Sequence, residues 1–326
     1  MMWPQFMFMV ALWLPATAAV VDQSDKPTVI QEARVQSWNK WSAVSGKDFH
    51  SVQDDDIQRH ASDKSFFDGI QIDEWYFREN GFRWHLLRFT NSARPVGPLW
   101  MVPHDDENAA FEAVISALKQ HGGVAVVVNS GPGSDRRQAG KGACGVRAEI
   151  VSSCDPNRNF AAASPKFTQA FLSHRAAGQP VIALHTNSAG FSGDGQGGRG
   201  EITIVDAAAF SRGKIQPRPD GHFAVSPTAE MANHDTLVLT AYLARQGKPS
   251  SAAIGCRNAI NRAGVHFWHE RVTLSDGSMS NYLALNHPDI AYLNAESRDE
   301  LDLGLAAARH SVMIAAYLNR CLKSGN

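Results

Sequence analysis

Pro98-Leu-Trp-Met-Val-Pro103 and Val124-Ala-Val-Val-Val128 are two apolar runs that set the fold class, and the amphipathic segment from Glu107 to Gln120 joins them. The first run is strand-like, and the second is a continuous apolar run typical of a strand buried on both faces. The joining segment has apolar residues at helical spacing: Ala110, Phe111, Val114, Ile115 and Leu118. The order strand, helix, buried strand predicts an α/β unit.

The same alternation continues on both sides of this unit. Toward the N terminus, Ile70–Phe77 and Phe82–Phe89 flank Asn80-Gly81 and predict a β-hairpin. Toward the C terminus, the apolar patterns predict strands at 148–151, 181–184, 202–205 and 290–293, and helices at 167–177, 236–245 and 301–322. We therefore expect an α/β fold with a mixed, mainly parallel central sheet flanked by helices, an N-terminal extension and a β-hairpin.

Composition places the chain among ordinary globular proteins. It has 326 residues, of which 44% are hydrophobic and 19% charged, with a formal net charge of −1. A near-neutral charge does not support a nucleic-acid binder, whose surface would be basic. We expect an extension over residues 20–65 and one catalytic domain over residues 66–326.

The first 19 residues predict a signal peptide. No charged side chain precedes Asp22, and the apolar stretch of Met1–Leu14 is shorter than the roughly 20 residues that span a bilayer. It is followed by small residues of the Ala-x-Ala type, as a cleavage site requires. We expect a periplasmic or secreted protein with no stable membrane anchor after cleavage. The alternative is a buried N-terminal strand.

The four cysteines agree with export to an oxidising compartment. They allow three pairings, and the favoured one joins Cys144 to Cys154 across a glycine-rich loop and Cys256 to Cys321 near the C-terminal helix. Four buried free thiols remain the alternative.

Histidine and acidic side chains follow several of the predicted strands, where ligands collect in open α/β sheets. His104 and Glu107 come after the first strand, at a spacing that places both on one helical face. His185 follows the strand at 181–184. Two imidazoles and one carboxylate can hold one zinc ion and leave a position for water. The alternative is that His104 and Glu107 cap a surface helix and His185 is a satisfied core histidine.

Polar residues follow the other predicted strands too. Arg136 and Arg137 follow the strand at 124–128, the segment Asp155–Phe160 follows the strand at 148–151, and Glu296 follows the strand at 290–293. Two other patterns are weaker. Gly193–Gly198 fits a dinucleotide-binding spacing, but a strand follows it instead of a helix. His266–Glu270 contains two histidines and a glutamate, and its aromatic alternation indicates a packed strand.

The order of these residues along the chain resembles the zinc carboxypeptidase superfamily, which includes the succinylglutamate desuccinylase and aspartoacylase branch. The residues that carry the resemblance are His104-x-x-Glu107, Asp155-Pro-Asn157-Arg158-Asn159, His185 and Glu296. The resemblance implies one Zn²⁺ on the two histidines and Glu107. It implies that Asn157 and Arg158 hold a free substrate carboxylate and that Glu296 is the general base. It also implies an arginine for the oxyanion, for which Arg136, Arg137 and Arg147 are open; Asn187 is a further expected substrate contact.

The resemblance implies a zinc-dependent hydrolase that cleaves an amide bond next to a free carboxylate, on short or cell-wall peptides. One alternative is an N-acyl amino-acid deacylase of the desuccinylase type. Another, of a different class, is a metal-free module that binds carboxylates. The expected partner is a small peptide or acyl-amino acid, and no nucleic acid.

Overall fold

Strands and helices alternate along most of the chain in the computed structural model. It describes residues 41–44, 49, 52–130, 155–187, 196–197, 202–204, 210–211, 214–215, 236–243, 246, 250–262, 265–299 and 301–322. All of them fall within one compact unit, Trp38–Asn326. The predicted signal peptide, the strand at 148–151, Arg136, Arg137 and the Cys144–Cys154 pairing lie outside the described residues.

The strands are β1 (Ser42–Ala43), β2 (Ile70–Glu79), β3 (Phe82–Asn91), β4 (Leu99–Val102), β5 (Val124–Asn129), β6 (Val181–Asn187), β7 (Gln196–Gly197), β8 (Ile202–Ile204), β9 (Phe210–Ser211), β10 (Lys214–Ile215), β11 (Leu237–Leu243), β12 (His266–Val272) and β13 (Tyr292–Arg298). The helices are α1 (Asp55–Arg59), α2 (Asn108–His121), α3 (Pro165–Leu172), α4 (Ser251–Arg262), α5 (Met279–Asn286) and α6 (Leu303–Arg320). Short 3₁₀ turns cover Lys64–Phe67 and Pro156–Arg158.

One mixed sheet contains the strands in the order β1-β2-β3-β5-β4-β6-β13-β11-β12-β8-β7, and β9 pairs with β10 separately. The central strands β5, β4, β6 and β13 run parallel to one another. The flanking β1, β2, β3 and β11 make antiparallel pairs. The predicted mixed sheet with a parallel centre is confirmed.

The predicted hairpin is confirmed as β2 and β3, which pair antiparallel from Ile70 opposite Asn91 to Glu79 opposite Phe82. Its two-residue turn has positive φ at both positions, 50° at Asn80 and 81° at Gly81. Asn-Gly is the dipeptide that such a turn favours, because asparagine tolerates and glycine freely adopts this conformation.

Helices cover both faces of the sheet. One core contains the apolar sides of α2, α4 and α6, and the other contains those of α3 and α5. Val44, Val52 and Ile57 belong to the first core, so the described end of the N-terminal extension packs against the domain. The strand at 124–128 is buried on both faces as expected, with Val126 in one core and Val127 in the other.

The helix predicted at 236–245 is wrong, because this segment forms β11. The sequence Leu237–Leu243 is a short apolar run, whose periodicity does not separate a strand from a helix. Its position is set by its neighbours: it pairs antiparallel with β13 and parallel with β12. Long-range pairing has overridden the local helical spacing.

Two predicted strands have different bounds in the structure. The strand predicted at 181–184 continues to Asn187, so His185 lies within β6. The strand predicted at 290–293 is Tyr292–Arg298, so Glu296 lies within β13 and does not follow it. In β13 the residues Leu293 and Ala295 alternate with polar ones, which fits a strand with one core-facing side.

The Cys256–Cys321 disulfide is confirmed, and it ties α4 to the residue that follows α6.

Within the part of the chain that the structure describes, no helix is long and apolar enough to span a membrane.

Candidate metal centre

The side chains of His104, Glu107 and His185 converge at one end of the parallel strands. His104 Nδ1 lies 2.9 Å from Glu107 Oε1 and 3.2 Å from His185 Nδ1. His185 Nδ1 lies 3.0 Å from Glu107 Oε2. All three residues are buried, and these are the residues of a possible metal-binding group. The three predicted ligands are therefore brought together.

The sheet explains why residues so distant in sequence meet. Strands β4 and β6 are parallel neighbours, so their carboxyl ends lie at the same edge of the sheet. His104 lies just beyond β4, and His185 lies near the end of β6. The expectation that His104 and Glu107 share a helical face is wrong: both precede α2, and Glu107 is its N-cap residue. Their contact is made within the loop between β4 and α2.

Asp155 orients the imidazole of His104. Its Oδ1 accepts a hydrogen bond from His104 Nε2 at 2.9 Å. Because a carboxylate is only an acceptor, we assign a proton to Nε2, so Nδ1, which faces Glu107 and His185, is the nitrogen that would lose its proton to bind a metal. The same Asp155 oxygen accepts from the backbone N–H of Asn157. Sequence analysis placed Asp155 in the motif but gave it no role.

His104 and the carboxylates at the centre shift one another's pKa values toward oppositely charged forms. Burial opposes protonation of His104, but the carboxylates of Glu107 and Asp155 outweigh it and raise the pKa of His104 to about 9. Burial likewise disfavours a charged Asp155, but its bond to His104 lowers its pKa to about 2. The pKa of Glu107 is lowered against burial by the two histidines. The site thus favours positive charge next to the buried carboxylate of Glu107 and the partly exposed carboxylate of Asp155.

The donor set fits a metal ion. Two nitrogens that each lie about 2.05 Å from one tetrahedral ion are roughly 3.3 Å apart. The two Nδ1 atoms are 3.2 Å apart, with both Glu107 oxygens beside them. This arrangement of two imidazoles and a carboxylate would leave a coordination position for water.

Asn157 and Arg158 lie beside this centre on the 3₁₀ turn, whose N-cap is Asp155. The Asn157 side-chain nitrogen is 3.5 Å from His185 Nε2. Arg158 Nε is 3.5 Å from Asp276 Oδ2, and the guanidinium also donates to the Asn157 carbonyl at 3.0 Å. Burial lowers the pKa of Arg158, but the charges of Asp276 and Asp155 more than offset this and raise it.

Gly277 holds the loop before α5 against this turn. It accepts a backbone hydrogen bond from Phe160 at 2.8 Å and has a φ of +87°. A Cβ at this position would lie 2.3 Å from the carbonyl oxygen of Arg158. The close approach and the positive φ both require glycine here.

Glu296 lies one strand away from His185. The two residues are paired in the parallel ladder of β13 and β6, so their side chains project from the same face of the sheet. Asn294, two residues earlier on that face, donates its side-chain amide to Glu296 Oε1 at 2.7 Å. The structure therefore brings the predicted base next to a predicted ligand, although by a different local structure from the one expected.

His310 is a residue of this region that sequence analysis missed. It is fully buried on α6, and its Nε2 donates to the carbonyl oxygen of His185 at 2.9 Å. Burial lowers the pKa of His310 to about 4, so the ring is neutral. A signal was present, because Arg309-His310 interrupts the apolar stripe formed by Ala306, Met313 and Ile314.

The remaining predicted site residues stand as follows. Asn187 ends β6, and its backbone carbonyl accepts from Asp299 at 2.7 Å. The part of the chain that the structure describes includes neither Arg136 nor Arg137, so an oxyanion role for either stays a prediction. His266 and Glu270 lie in β12, as the aromatic alternation predicted.

Several solved structures are similar to this chain at low sequence identity. A protein of Shewanella amazonensis SB2B, provisionally described as a metallopeptidase, is 13% identical with a TM-score of 0.40, over 81% of this chain and 92% of that one. A metallo-carboxypeptidase of Burkholderia cenocepacia is 16% identical with a TM-score of 0.41, over 80% and 68%. Thrombin activatable fibrinolysis inhibitor is 11% identical with a TM-score of 0.44, over 90% and 83%.

No family model and no curated protein matches the chain. Because every TM-score is below 0.5, we derive the function from the residues of the site.

Proposed function

We propose that this protein is a zinc-dependent hydrolase that cleaves an amide bond next to a free carboxylate. The observation that carries the proposal is the convergence of His104, Glu107 and His185 on one point, with their ligand atoms 2.9 to 3.2 Å apart. Zinc suits two imidazoles and one carboxylate, and this number of protein ligands is typical of catalytic zinc. Glu296 and Arg158 lie at the same edge of the sheet and supply the other groups that the reaction needs.

Glu296 is the general base in this proposal. A zinc ion bound by the three ligands would acidify a water molecule and polarise the scissile carbonyl. Glu296 would take a proton from the attacking water and pass it to the leaving amine, while the hydroxyl of the water bonds to the acyl carbon, so the amide bond is exchanged for a carboxylate and an amine. Its position opposite His185 in the ladder and its hydrogen bond from Asn294 support this role.

Arg158 and Asn157 bind the substrate carboxylate. The guanidinium is planar and can donate two parallel hydrogen bonds to a carboxylate, which gives geometric selectivity as well as affinity. Arg158 is partly exposed, with 30% of its side chain accessible, and Asp276 fixes it from the buried side. Asn157 adds an amide beside the metal ligand His185.

Short peptides with a free C-terminus are the proposed substrates. An N-acyl amino acid is a second candidate, because the same groups would bind its carboxylate and cleave its amide bond. We place the reaction in the periplasm or outside the cell, and the Cys256–Cys321 disulfide is compatible with such an oxidising compartment.

Metal analysis and peptide hydrolysis test the proposal together. We expect one zinc ion per chain after purification without added metal, and cleavage of peptides with a free but not an amidated C-terminus. The variant His104→Ala should lose both the zinc and the activity. A matched control is Glu112→Gln on α2, whose carboxylate contacts Arg59 of α1 and His60, which follows α1, and none of the site residues named above. Zinc-free protein that binds acyl-amino acids without cleaving them would favour a binding module. Equal cleavage of amidated peptides would refute the carboxylate clamp.

A further inference from the structure

The turn that carries Asn157 and Arg158 is held in place by Asn159. This buried residue directly follows Arg158 and ends the 3₁₀ turn, and its backbone N–H donates to the carbonyl oxygen of Pro156 at 3.2 Å. Its side-chain Oδ1 accepts a hydrogen bond from Ser164 Oγ at 3.0 Å, whereas its Nδ2 has no hydrogen-bond partner in the described part of the chain. The bond from Ser164 therefore fixes the orientation of this amide.

Ser164 is the N-cap residue of α3, but its hydroxyl does not cap that helix. A serine at this position usually accepts from a backbone N–H of the first turn. Here a carboxylate of the hairpin does so in its place, because Glu79 accepts from the backbone N–H groups of Lys166 and Phe167 at 2.8 and 2.9 Å. The Ser164 hydroxyl is therefore available to Asn159.

Asn80, in the turn of the hairpin, decides in which direction the Ser164 hydroxyl donates. Its Nδ2 donates to Ser164 Oγ at 2.9 Å and to the carbonyl oxygen of Ala163 at 3.0 Å. Because a carbonyl oxygen only accepts, the amide nitrogen must be the atom that faces it. A hydroxyl has one proton to donate. Since the Asn80 N–H occupies the acceptor side of the Ser164 hydroxyl, that proton is directed at Asn159.

We propose that Asn80 and Ser164 are positioning residues for the substrate carboxylate. This inference rests on the proposed function, in which Arg158 binds that carboxylate. Asn80 holds the Ser164 hydroxyl toward Asn159, and Asn159 fixes the turn from which the guanidinium extends. A carboxylate at residue 80 would accept from Ser164 and draw its proton away from Asn159. The hairpin thus acts on substrate binding through the direction of one hydroxyl group.

Three variants separate this role from that of an ordinary turn residue. Asn80→Asp and Asn80→Gly lose the same two hydrogen bonds, and glycine readily adopts the φ of 50° at this position. Only aspartate competes for the Ser164 proton. Ser164→Ala removes the bond to Asn159 but keeps the cap of α3, which Glu79 supplies.

Calorimetry with acetyl-Ala-Ala and with its C-terminal amide measures the effect. The full-length protein is zinc-loaded and carries Glu296→Gln in every case, so that binding is measured without turnover. We expect Asn80→Asp and Ser164→Ala to weaken binding of the free acid about tenfold, the value of a hydrogen bond to a charged group, and Asn80→Gly to weaken it about twofold or less. Binding of the amide and the zinc content should not change, whereas a general loss of structure would alter both.

Failure of this inference and failure of the proposed function give different results. A preference for the free acid that Asn80→Asp and Ser164→Ala retain in full would overturn the inference alone. An equal loss in Asn80→Asp and Asn80→Gly would also overturn it, because the direction of the hydroxyl would then not matter. Equal binding of acid and amide before these changes would refute the carboxylate clamp and this inference with it. The expected losses, without hydrolysis by the unchanged protein, would support the inference and remove the hydrolase.

Discussion

His185 of β6 and Glu296 of β13 are pairing partners in two neighbouring parallel strands. Partner residues in neighbouring parallel strands project from the same face about 4.8 Å apart. A proposed metal ligand and the proposed base are therefore held side by side by sheet pairing, although their positions in the sequence are far apart. Rigid strands place such groups more accurately than loops do.

Replacing Glu296 tests its assignment as the base. Glu296→Gln should lower kcat/KM by about 10²–10⁴-fold, the usual contribution of a general base. The zinc content should stay at one ion per chain, because Glu296 is not one of the three ligands. Initial rates and metal analysis check both expectations. Activity close to that of the unchanged protein would show that another residue takes the proton.

Removing the charge of Asp155 tests the orientation of His104. Asp155→Asn should weaken zinc binding about 10–100-fold, the usual effect of losing the partner of a ligating histidine. Competition with a chelator of known affinity measures this. The matched control is Asp73→Asn, whose carboxylate pairs with Arg88 on the hairpin. Equal zinc affinity of the two variants would contradict the orienting role.

Two glycines give opposite predictions for the same substitution. Gly277→Ala should lower kcat/KM for peptides with a free carboxylate, because the new Cβ would collide with the Arg158 carbonyl and shift its side chain. Gly255→Ala on α4 meets nothing within 4 Å and should stabilise the protein by about 0.5–1 kcal/mol. Steady-state kinetics and thermal unfolding measure the two effects. A fully active Gly277→Ala would show that the loop does not position Arg158.

The pKa of Glu270 predicts a pH dependence of stability. Burial, and next the charge of Asp276, raise its pKa from 4.5 to about 8, while Arg158 and Ser280 oppose the rise and Glu296 adds to it. Between these two values the folded state keeps a proton that the unfolded state has lost, so stability falls as the pH rises from about 4.5 to 8. Glu270→Gln removes this loss and should gain stability relative to the unchanged protein between pH 5 and pH 9. Thermal unfolding at both pH values is the measurement, and a constant difference would contradict the shifted pKa.

The disulfide should contribute substantially to stability. Cys256 and Cys321 close a loop with a sequence separation of 65, for which chain entropy gives about 4 kcal/mol. The variant Cys256→Ala/Cys321→Ala should therefore unfold at a clearly lower denaturant concentration. The unchanged protein under reducing conditions should show a shift at least as large. No shift in either case would mean that the crosslink does not restrict the unfolded chain.

Much of the fold followed from local patterns. The Asn-Gly turn, the buried run of β5 and the amphipathic α2 were predicted because each depends on neighbouring residues. The helix predicted over 236–245 was wrong, since a run such as Leu-Val-Leu-Thr-Ala-Tyr-Leu fits either structure until its partners β13 and β12 are known. The bounds of β6 and β13 were also missed, because polar side chains such as His185 and Glu296 within a strand look like strand ends.

The residue types and their order were enough to nominate His104, Glu107 and His185, because few side chains bind a metal and the spacing of the first two is short. Their distances required the folded chain, since parallel pairing of β4, β6 and β13 is a long-range property that no local pattern encodes. The surroundings of Asp155, His310 and Glu270 also required the folded chain, because they depend on which distant groups the fold brings beside these residues. A carboxylate on a strand has no special chemistry until the sheet removes it from water and brings a charged neighbour.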